Sequence, residues 1–292
     1  MTVNNIIEDG DRIILDSYDL DKKLYKKLLS FLASNTTNGK VSISKEDLAS
    51  LEELIYKEVK DSDYEEKISN YLLLFEKIEE AVSQQQLKYN GIMAKEIREF
   101  WNSTGTKRQF LDKVVYDLGQ GGIKDYFVKG LAKVVRDANF QNLTIDDAVS
   151  KLSKVLIDDD YTKRYIKTVA LDALNQYAGA INDAVRVHYD LNELLYVGNI
   201  IETSRPFCDH IKDNYKGRLT KEELEKVLKE YCPNGVPSDK NTTYTTVSGE
   251  KITKKKGSGM IEGTNINNFA QLRGGYGCRH EAIWVKKKIK NS

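Results

Sequence analysis

Proline is absent from the first 205 residues of this 292-residue chain, and its three prolines, Pro206, Pro233 and Pro237, all lie beyond them. A proline inside a helix removes a hydrogen bond and clashes with the preceding turn, so a long proline-free stretch favours uninterrupted helices. Apolar residues in this stretch recur at steps of three and four, the spacing of one helix face. We therefore expect a mainly α protein that begins with a helical bundle.

Residues 163–195 carry the strongest helix pattern. The apolar face of this helix is expected to contain Ile166, Val169, Ala173, Tyr177, Ile181, Ala184 and His188. Because His188 continues this face, we expect a packed, hydrogen-bonded histidine there, not a metal ligand or a base.

The pattern changes after Leu195. Residues 196–203 are rich in β-branched and aromatic side chains and predict a strand. Thr220 and Glu223 form a capping box for a short helix, and residues 244–253 and 282–285 predict a hairpin and a last strand. The expected organisation is an arm and helix over 1–40, a helical bundle over 41–198 and a small α+β module over 199–292. A metal ion could staple a module of about ninety residues, whose core is small.

The formal net charge of +1 hides an uneven distribution along the chain. From residue 201 onward there are 18 Lys and Arg against 11 Asp and Glu, a net of +7, and the preceding part carries a net of −6. Two basic runs, 251–256 and 286–290, could contact phosphates or an acidic protein, and they could equally be solvated loops.

Several classes of protein are disfavoured by the sequence. No run of eighteen apolar residues occurs, so we expect no membrane span. The first nine residues lack the features of a signal peptide, which predicts cytosolic synthesis and argues against a disulfide scaffold. With three histidines and no serine in a strand-turn-helix elbow, a hydrolase triad is not supported.

A Cys-x-His pair occurs twice, as Cys208 with His210 and as Cys278 with His280. Thiolate sulfur and neutral imidazole are ligands that tetrahedral zinc prefers, so the two pairs could form one structural zinc site. The alternatives are buried, metal-free cysteines or a disulfide, with both histidines exposed. Cys232, which precedes a Pro-Asn-Gly turn, could be a replacement ligand or a buried thiol.

These residues resemble the minor head proteins of tailed bacteriophages, the Mu-F-like or head morphogenesis family. The resemblance covers roughly residues 160–285 and is carried by Arg164, Thr168, Asn175, Tyr177, Tyr196, Gly198, 203–208, 216–217 and 274–280. Many relatives have Cys-x-x-Cys at the first position and Cys-Arg-Cys at the second. This chain keeps one cysteine in each, and His280 replaces a cysteine with another metal ligand.

The resemblance implies a structural role and no enzymatic activity. It implies a low-copy minor capsid protein of the virion that is associated with the portal and capsid interior and takes part in head morphogenesis. Its expected partners are portal and capsid proteins and packaged DNA, and during assembly it would lie in the host cytoplasm.

The alternative function is a metal-dependent nuclease of the His-Asn-His type. His210, Asn267 or Asn268, and His280 follow the order of that motif. However, 69 residues separate the two histidines, which is far for one compact site, and the Cys-x-x-Cys pairs that usually brace such sites are absent.

Overall fold

The computed structural model describes residues 2–15, 18–61, 64–158, 161–275 and 278–287. It is mainly helical with a small sheet part, as the sequence predicts. The helices are α1 (Val3–Leu15), α2 (Tyr18–Ser34), α3 (Lys45–Lys60), α4 (Tyr64–Leu72), α5 (Leu74–Asn90), α6 (Ala94–Ser103), α7 (Thr106–Leu118), α8 (Gln120–Gly122), α9 (Lys129–Phe140), α10 (Ile145–Ser153), α11 (Tyr161–Tyr189), α12 (Pro206–Tyr215), α13 (Lys221–Tyr231) and α14 (Phe269–Leu272). Two π-helical segments, Ile123–Val128 and Lys154–Asp158, precede α9 and follow α10.

The strands pair antiparallel in three small sheets. They are β1 (Thr36–Thr37), β2 (Lys40–Val41), β3 (Glu193–Val197), β4 (Arg218–Thr220), β5 (Asn241–Thr245), β6 (Lys251–Lys255) and β7 (Glu281–Val285). In the three-stranded sheet the order is β4-β3-β7, with Leu195 opposite Ile283 and Leu194 opposite Leu219. The hairpin β5–β6 and the strand β7 agree with the sequence predictions.

Local capping explains several helix starts. The side chains of Ser44 and Thr144 each accept a hydrogen bond from the backbone N–H three residues later. Thr220 and Glu223 form the predicted capping box at the start of α13. These contacts satisfy backbone donors that a helix N-terminus otherwise leaves unpaired.

The chain divides into two compact units, each assembled from separate stretches of sequence. Unit 1 contains Met1–Ile7, Phe75–Arg108 and Asp172–Ser292, and unit 2 contains Glu8–Leu74 and Gln109–Leu171. By contrast, the three predicted segments, 1–40, 41–198 and 199–292, are each continuous in sequence.

Unit 2 is built around aliphatic side chains. Its buried residues include Leu24 and Leu28 of α2, Leu51 and Ile55 of α3, Leu131 and Val135 of α9, and Leu152 of α10. The Tyr71 hydroxyl donates to the Ala170 carbonyl at 2.6 Å within this core. The helices therefore pack through apolar faces at the spacing that the sequence predicts.

Unit 1 combines aromatic packing with buried hydrogen bonds. Trp101 donates its indole N–H to the Tyr177 hydroxyl at 2.9 Å, and Tyr177 donates in turn to Glu79. On α11, Asp183 accepts hydrogen bonds from the backbone N–H groups of Ala270 and Gln271 and from the indole of Trp284.

The open edge of β7 is covered by amide side chains of α5. Asn90 donates to the Trp284 carbonyl at 2.9 Å and accepts from the Lys286 N–H at 2.8 Å. Gln86 also donates to the Trp284 carbonyl. These contacts satisfy backbone groups that a sheet edge exposes.

Three sequence expectations differ from the structure. The helix expected to reach residue 195 ends at Tyr189, where Asp190 takes the left-handed conformation with φ 50°. The strand expected over 196–203 is β3, which begins at Glu193 and ends at Val197. His188 is exposed and stacks on Phe100, with ring centroids 4.1 Å apart. Tyr177 and Ile181 of the predicted face are buried, but near the end of α11 the buried face runs through Val185 and not through His188.

Some predicted features lie outside the described residues: positions 276–277 of the second motif, residues 288–290 of the last basic run, and the side chains of Arg164 and Ile166. Among the helices that the structure describes, none has the length and apolar character needed to span a membrane.

Candidate metal centre

Cys208 enters the centre from the first turn of α12. Pro206 is at the start of this helix, where its missing N–H costs nothing, and Arg205 is the N-cap residue in an extended conformation. This start turns Phe207, Cys208 and Ile211 into the protein, and all three are buried. The first Cys-x-His pair therefore lies on a helix, and the strand predicted before it ends earlier, at Val197.

Cys278 and His280 reach the centre from the segment that leads into β7. Cys278 Sγ lies 3.7 Å from His280 Nδ1. The candidate ligand atoms of Cys208, Cys278 and His280 all lie within 4.8 Å of one another. Their side chains are only 3%, 8% and 5% exposed, so water reaches the group poorly. These three residues could hold a metal ion.

His210, the fourth predicted ligand, is not in this group. It is half-buried on α12, its Nδ1 lies 3.1 Å from the Asn214 side-chain amide, and its ring packs near Tyr215 and Tyr231. Residues two apart on a helix point in nearly opposite directions, so Cys208 and His210 do not face one ion. Partial burial lowers the pKa of His210, which favours the neutral imidazole.

Tyr196 of β3 completes the surroundings of the sulfurs. Its hydroxyl oxygen lies 3.4 Å from Cys208 Sγ and 3.3 Å from Cys278 Sγ. Its ring stacks on His280, with centroids 4.7 Å apart and planes at 10°. Tyr196 is among the residues that carry the family resemblance, but it is not among the predicted ligands. No local sequence signal places it at the site, because its position depends on the pairing of β3 with β7.

Gly274 leaves space beside these atoms. A Cβ at this position would lie 2.9 Å from Cys208 Sγ, 3.0 Å from Tyr196 Oη and 3.1 Å from Cys278 Sγ. Any side chain here would crowd all three donors, so glycine keeps this side of the cluster open. The same geometry suits an ion bound between the two sulfurs.

The two thiols share their protons unequally. The pKa of Cys278 is well below its usual range because Cys208 donates a hydrogen bond to it, with further help from His280 and Arg273. The pKa of Cys208 is raised, first by that same hydrogen bond and then by burial. Burial also raises the pKa of Tyr196. Cys278 is therefore the first of the two thiols to become a thiolate, the form that binds metal.

Two arginines connect the segments that carry the ligands. Arg273 is 3% exposed and donates to the His280 carbonyl at 2.5 Å and to the Asn175 carbonyl. Arg205 donates to the Gly274 carbonyl. Both guanidinium groups favour negative charge on the sulfurs beside them.

Other candidate residues have separate roles. Cys232 is buried at the C-terminal end of α13 and is not part of the metal-ligating group that the described residues form. Burial raises its pKa, which keeps it a thiol. Asn267 accepts a hydrogen bond from Arg186, and Asn268 bonds to backbone groups of the 263–265 turn.

Comparison with known proteins gives no relative: no family model, curated protein or solved structure matches the chain.

Proposed function

We propose that the chain is a structural minor capsid protein of a tailed bacteriophage head, associated with the portal and the capsid interior. The observation that carries the proposal is that residues of the family-like pattern, far apart in sequence, contact one another in one buried layer. Tyr196 contacts Cys208 and Cys278, and Arg205 contacts Gly274. These contacts support the proposal because they indicate that the residues shared with the family stabilise the fold.

Two further pattern residues belong to the same layer. A Cβ at Gly198 would lie 2.7 Å from His280 Cδ2, so the glycine allows the histidine ring to pack against the chain. The Gly217 carbonyl accepts the Tyr196 N–H at 2.7 Å. Each of these glycines has a positive φ and a close backbone or ring neighbour, which explains why the pattern contains glycine there.

The metal we propose is zinc, in a structural role. Two sulfurs and an imidazole favour zinc over magnesium or calcium, which prefer oxygen ligands. The ion would join α12 to the segment before β7, because Cys208 comes from the first and Cys278 and His280 from the second. In a small sheet region such a bond contributes directly to folding free energy.

A structural role agrees better with the burial of this site than catalysis does. Cys208, Cys278 and His280 are each less than a tenth exposed, and a substrate must reach the reacting groups of an enzyme. For the nuclease alternative, His210 and His280 would have to act on one phosphate. His210 is instead packed among Tyr215, Tyr231 and Asn214, away from the cluster of sulfurs.

A DNA contact is proposed for the hairpin β5–β6. On one face, Lys251 and Lys255 are exposed together with Asn241, Thr243 and Thr253, and this face of the ribbon contains no carboxylate. Lysine and hydroxyl groups of this kind bind phosphates, and a two-stranded ribbon is narrow enough for a DNA groove. We expect the full chain to be retained on DNA in a salt-dependent way. The double variant Lys251→Ala with Lys255→Ala should be retained less. Equal retention by this variant and the wild type would contradict the contact.

The head assignment is tested in particles. We expect the chain to be present at low copy in purified phage heads and to co-purify with the portal protein, as measured by quantitative mass spectrometry. Its absence from purified heads, with metal-dependent cleavage of plasmid DNA by the pure chain, would favour the nuclease alternative.

Elemental analysis of the purified chain tests the zinc. We expect about one zinc per chain, lost in Cys278→Ser and retained in Cys232→Ser, which alters a buried cysteine outside the cluster. Equal zinc content in both variants would show that the ion is held elsewhere.

A further inference from the structure

Four donor atoms, not three, lie close together in the candidate metal centre. Besides Cys208 Sγ, Cys278 Sγ and His280 Nδ1, the fourth is Tyr196 Oη, which lies 3.4 Å and 3.3 Å from the two sulfurs. Neither of the Cys-x-His pairs in the sequence contains this oxygen.

The separations match those between ligands of a tetrahedral ion. With metal–sulfur bonds of about 2.3 Å and metal–oxygen or metal–nitrogen bonds of about 2.0 Å, neighbouring ligands lie roughly 3.5 Å apart. The two oxygen–sulfur distances, 3.3 and 3.4 Å, and the distance of 3.7 Å from Cys278 Sγ to His280 Nδ1 agree with that value. The sulfur and nitrogen donors all lie within 4.8 Å of one another.

We propose that Tyr196 Oη is the fourth ligand of a thiophilic divalent cation held by Cys208, Cys278 and His280. This inference rests on the metal site of the proposed function and identifies its complete ligand set. On binding, the two thiols and the phenol each lose a proton to solvent, and the neutral imidazole contributes a nitrogen lone pair.

The surroundings position the phenol for this role. Tyr196 is 1% exposed, and its ring stacks on His280 and makes a T-shaped contact with Phe207. Its hydroxyl bonds to the two sulfurs, and ligation would replace those contacts. Gly274 has no side chain to occupy the adjoining space.

Two nearby guanidinium groups offset the charge that an anionic fourth ligand would add. Two thiolates and one phenolate around a divalent cation leave a single negative charge. The guanidinium groups of Arg205 and Arg273 act electrostatically on Cys208 and Cys278, respectively, and offset that charge. A buried charge is tolerated when it is paired in this way.

Ultraviolet difference spectroscopy of the full chain distinguishes a tyrosine ligand from a nearby tyrosine. Adding one equivalent of Co²⁺ to the metal-free protein at neutral pH should produce a tyrosinate difference band along with the thiolate-to-cobalt band, and one equivalent of Zn²⁺ should produce the tyrosinate band. Tyr196→Phe should lose the tyrosinate band, keep the thiolate band and bind metal at least about tenfold more weakly.

Tyr177→Phe is the matched control, because Tyr177 is also fully buried in unit 1 and bonds to Trp101 and Glu79 instead of sulfur. It should keep both bands and the wild-type affinity. The band of the wild-type chain is a readout that does not depend on whether a variant folds.

The outcomes separate this inference from the metal site on which it rests. If the wild type binds one metal with a thiolate band but no tyrosinate band, and Tyr196→Phe binds equally well, Tyr196 is only a hydrogen-bond donor and the inference fails alone. If the wild type binds neither ion, both the inference and the metal site fail.

Discussion

The two compact units differ in what their cores contain. Among the described residues, and leaving aromatic residues aside, every buried polar or charged residue belongs to unit 1, from Glu79 and Ser83 to His280 and Glu281. The buried side chains of unit 2 are hydrophobic ones such as Leu28, Ile55 and Leu152. Apolar packing tolerates changes of shape, whereas buried polar groups need particular partners. We therefore expect unit 1 to be the less tolerant of substitution.

The largest effect that would test this difference is expected for Arg273→Ala. The change leaves the buried carbonyls of His280 and Asn175 without their donor, so we expect a loss of about 3 to 5 kcal/mol in the free energy of unfolding. Denaturation followed by tryptophan fluorescence measures it, because both tryptophans, Trp101 and Trp284, lie in unit 1.

Arg136→Ala in unit 2 is the control for that variant. Arg136 pairs with Glu52 on the surface and is 41% exposed, so its loss should cost less than about 1 kcal/mol. Equal losses of unfolding free energy in the two variants would contradict the expected difference in tolerance to substitution between the units.

The next effect concerns the pH dependence of unit 1. Burial raises the pKa of Asp183 from its ordinary value of 3.8 to about 7, although three N–H donors and Arg186 oppose the rise. Because the folded-state pKa exceeds the unfolded one, the stabilisation is complete below pH 4 and is lost as pH rises to 7. We expect a fall of on the order of 2 to 4 kcal/mol over that window.

Asp183→Asn should flatten the pH profile measured by tryptophan fluorescence. Asp146→Asn, which alters an exposed carboxylate in unit 2, should retain the wild-type profile. An unchanged slope in Asp183→Asn would show that another group causes the dependence.

A smaller effect is expected at Gly274. In Gly274→Ala the new methyl group would meet two sulfurs and a hydroxyl at about 3 Å, closer than ordinary contact. We expect a loss of about 1 to 3 kcal/mol and weaker zinc binding, measured by denaturation with and without a chelator. Gly105→Ala is a useful comparison, since a Cβ there has no neighbour within 4 Å and only its positive φ opposes the change. If Gly274→Ala bound zinc as tightly as the wild type, the space beside the sulfurs would have no role.

The smallest effect should be seen in unit 2. Ile55→Val removes one buried methyl group from α3 and should cost about 0.5 to 1.5 kcal/mol, as measured by circular dichroism. A loss above about 4 kcal/mol would mean that the core of unit 2 is as intolerant as that of unit 1.

Local sequence signals predicted much of the fold. The capping box of Thr220 and Glu223 and the hairpin β5–β6 each depend on residues close in sequence, and the structure has both. The predicted end of α11 is too late in the sequence. The helix is followed by Asp190 in a left-handed conformation, and no glycine or proline at that position marks the helix end.

The candidate site was predicted only in part, for a physical reason. Cys208, Cys278 and His280 are predicted from their ligand chemistry, and His210 is included because it repeats the Cys-x-His spacing. Pro206 starts a helix at that point, with Phe207 and Ile211 on its buried face, and the helix turns His210 away. Tyr196 was not identified as a site residue because its closeness to the sulfurs depends on the pairing of β3 with β7, which no local pattern encodes.

The order of strands in the sheet of unit 1 has a consequence for synthesis on the ribosome. The strand β3 emerges early, but one of its two neighbours, β7, is translated only after the whole stretch from Val197 to Glu281. Closing so long a loop is slow, and the edge of β3 that pairs with β7 stays unpaired until the loop has closed. During synthesis there is thus a period in which Tyr196 and Cys208 have been translated but Cys278, their partner in the cluster, has not.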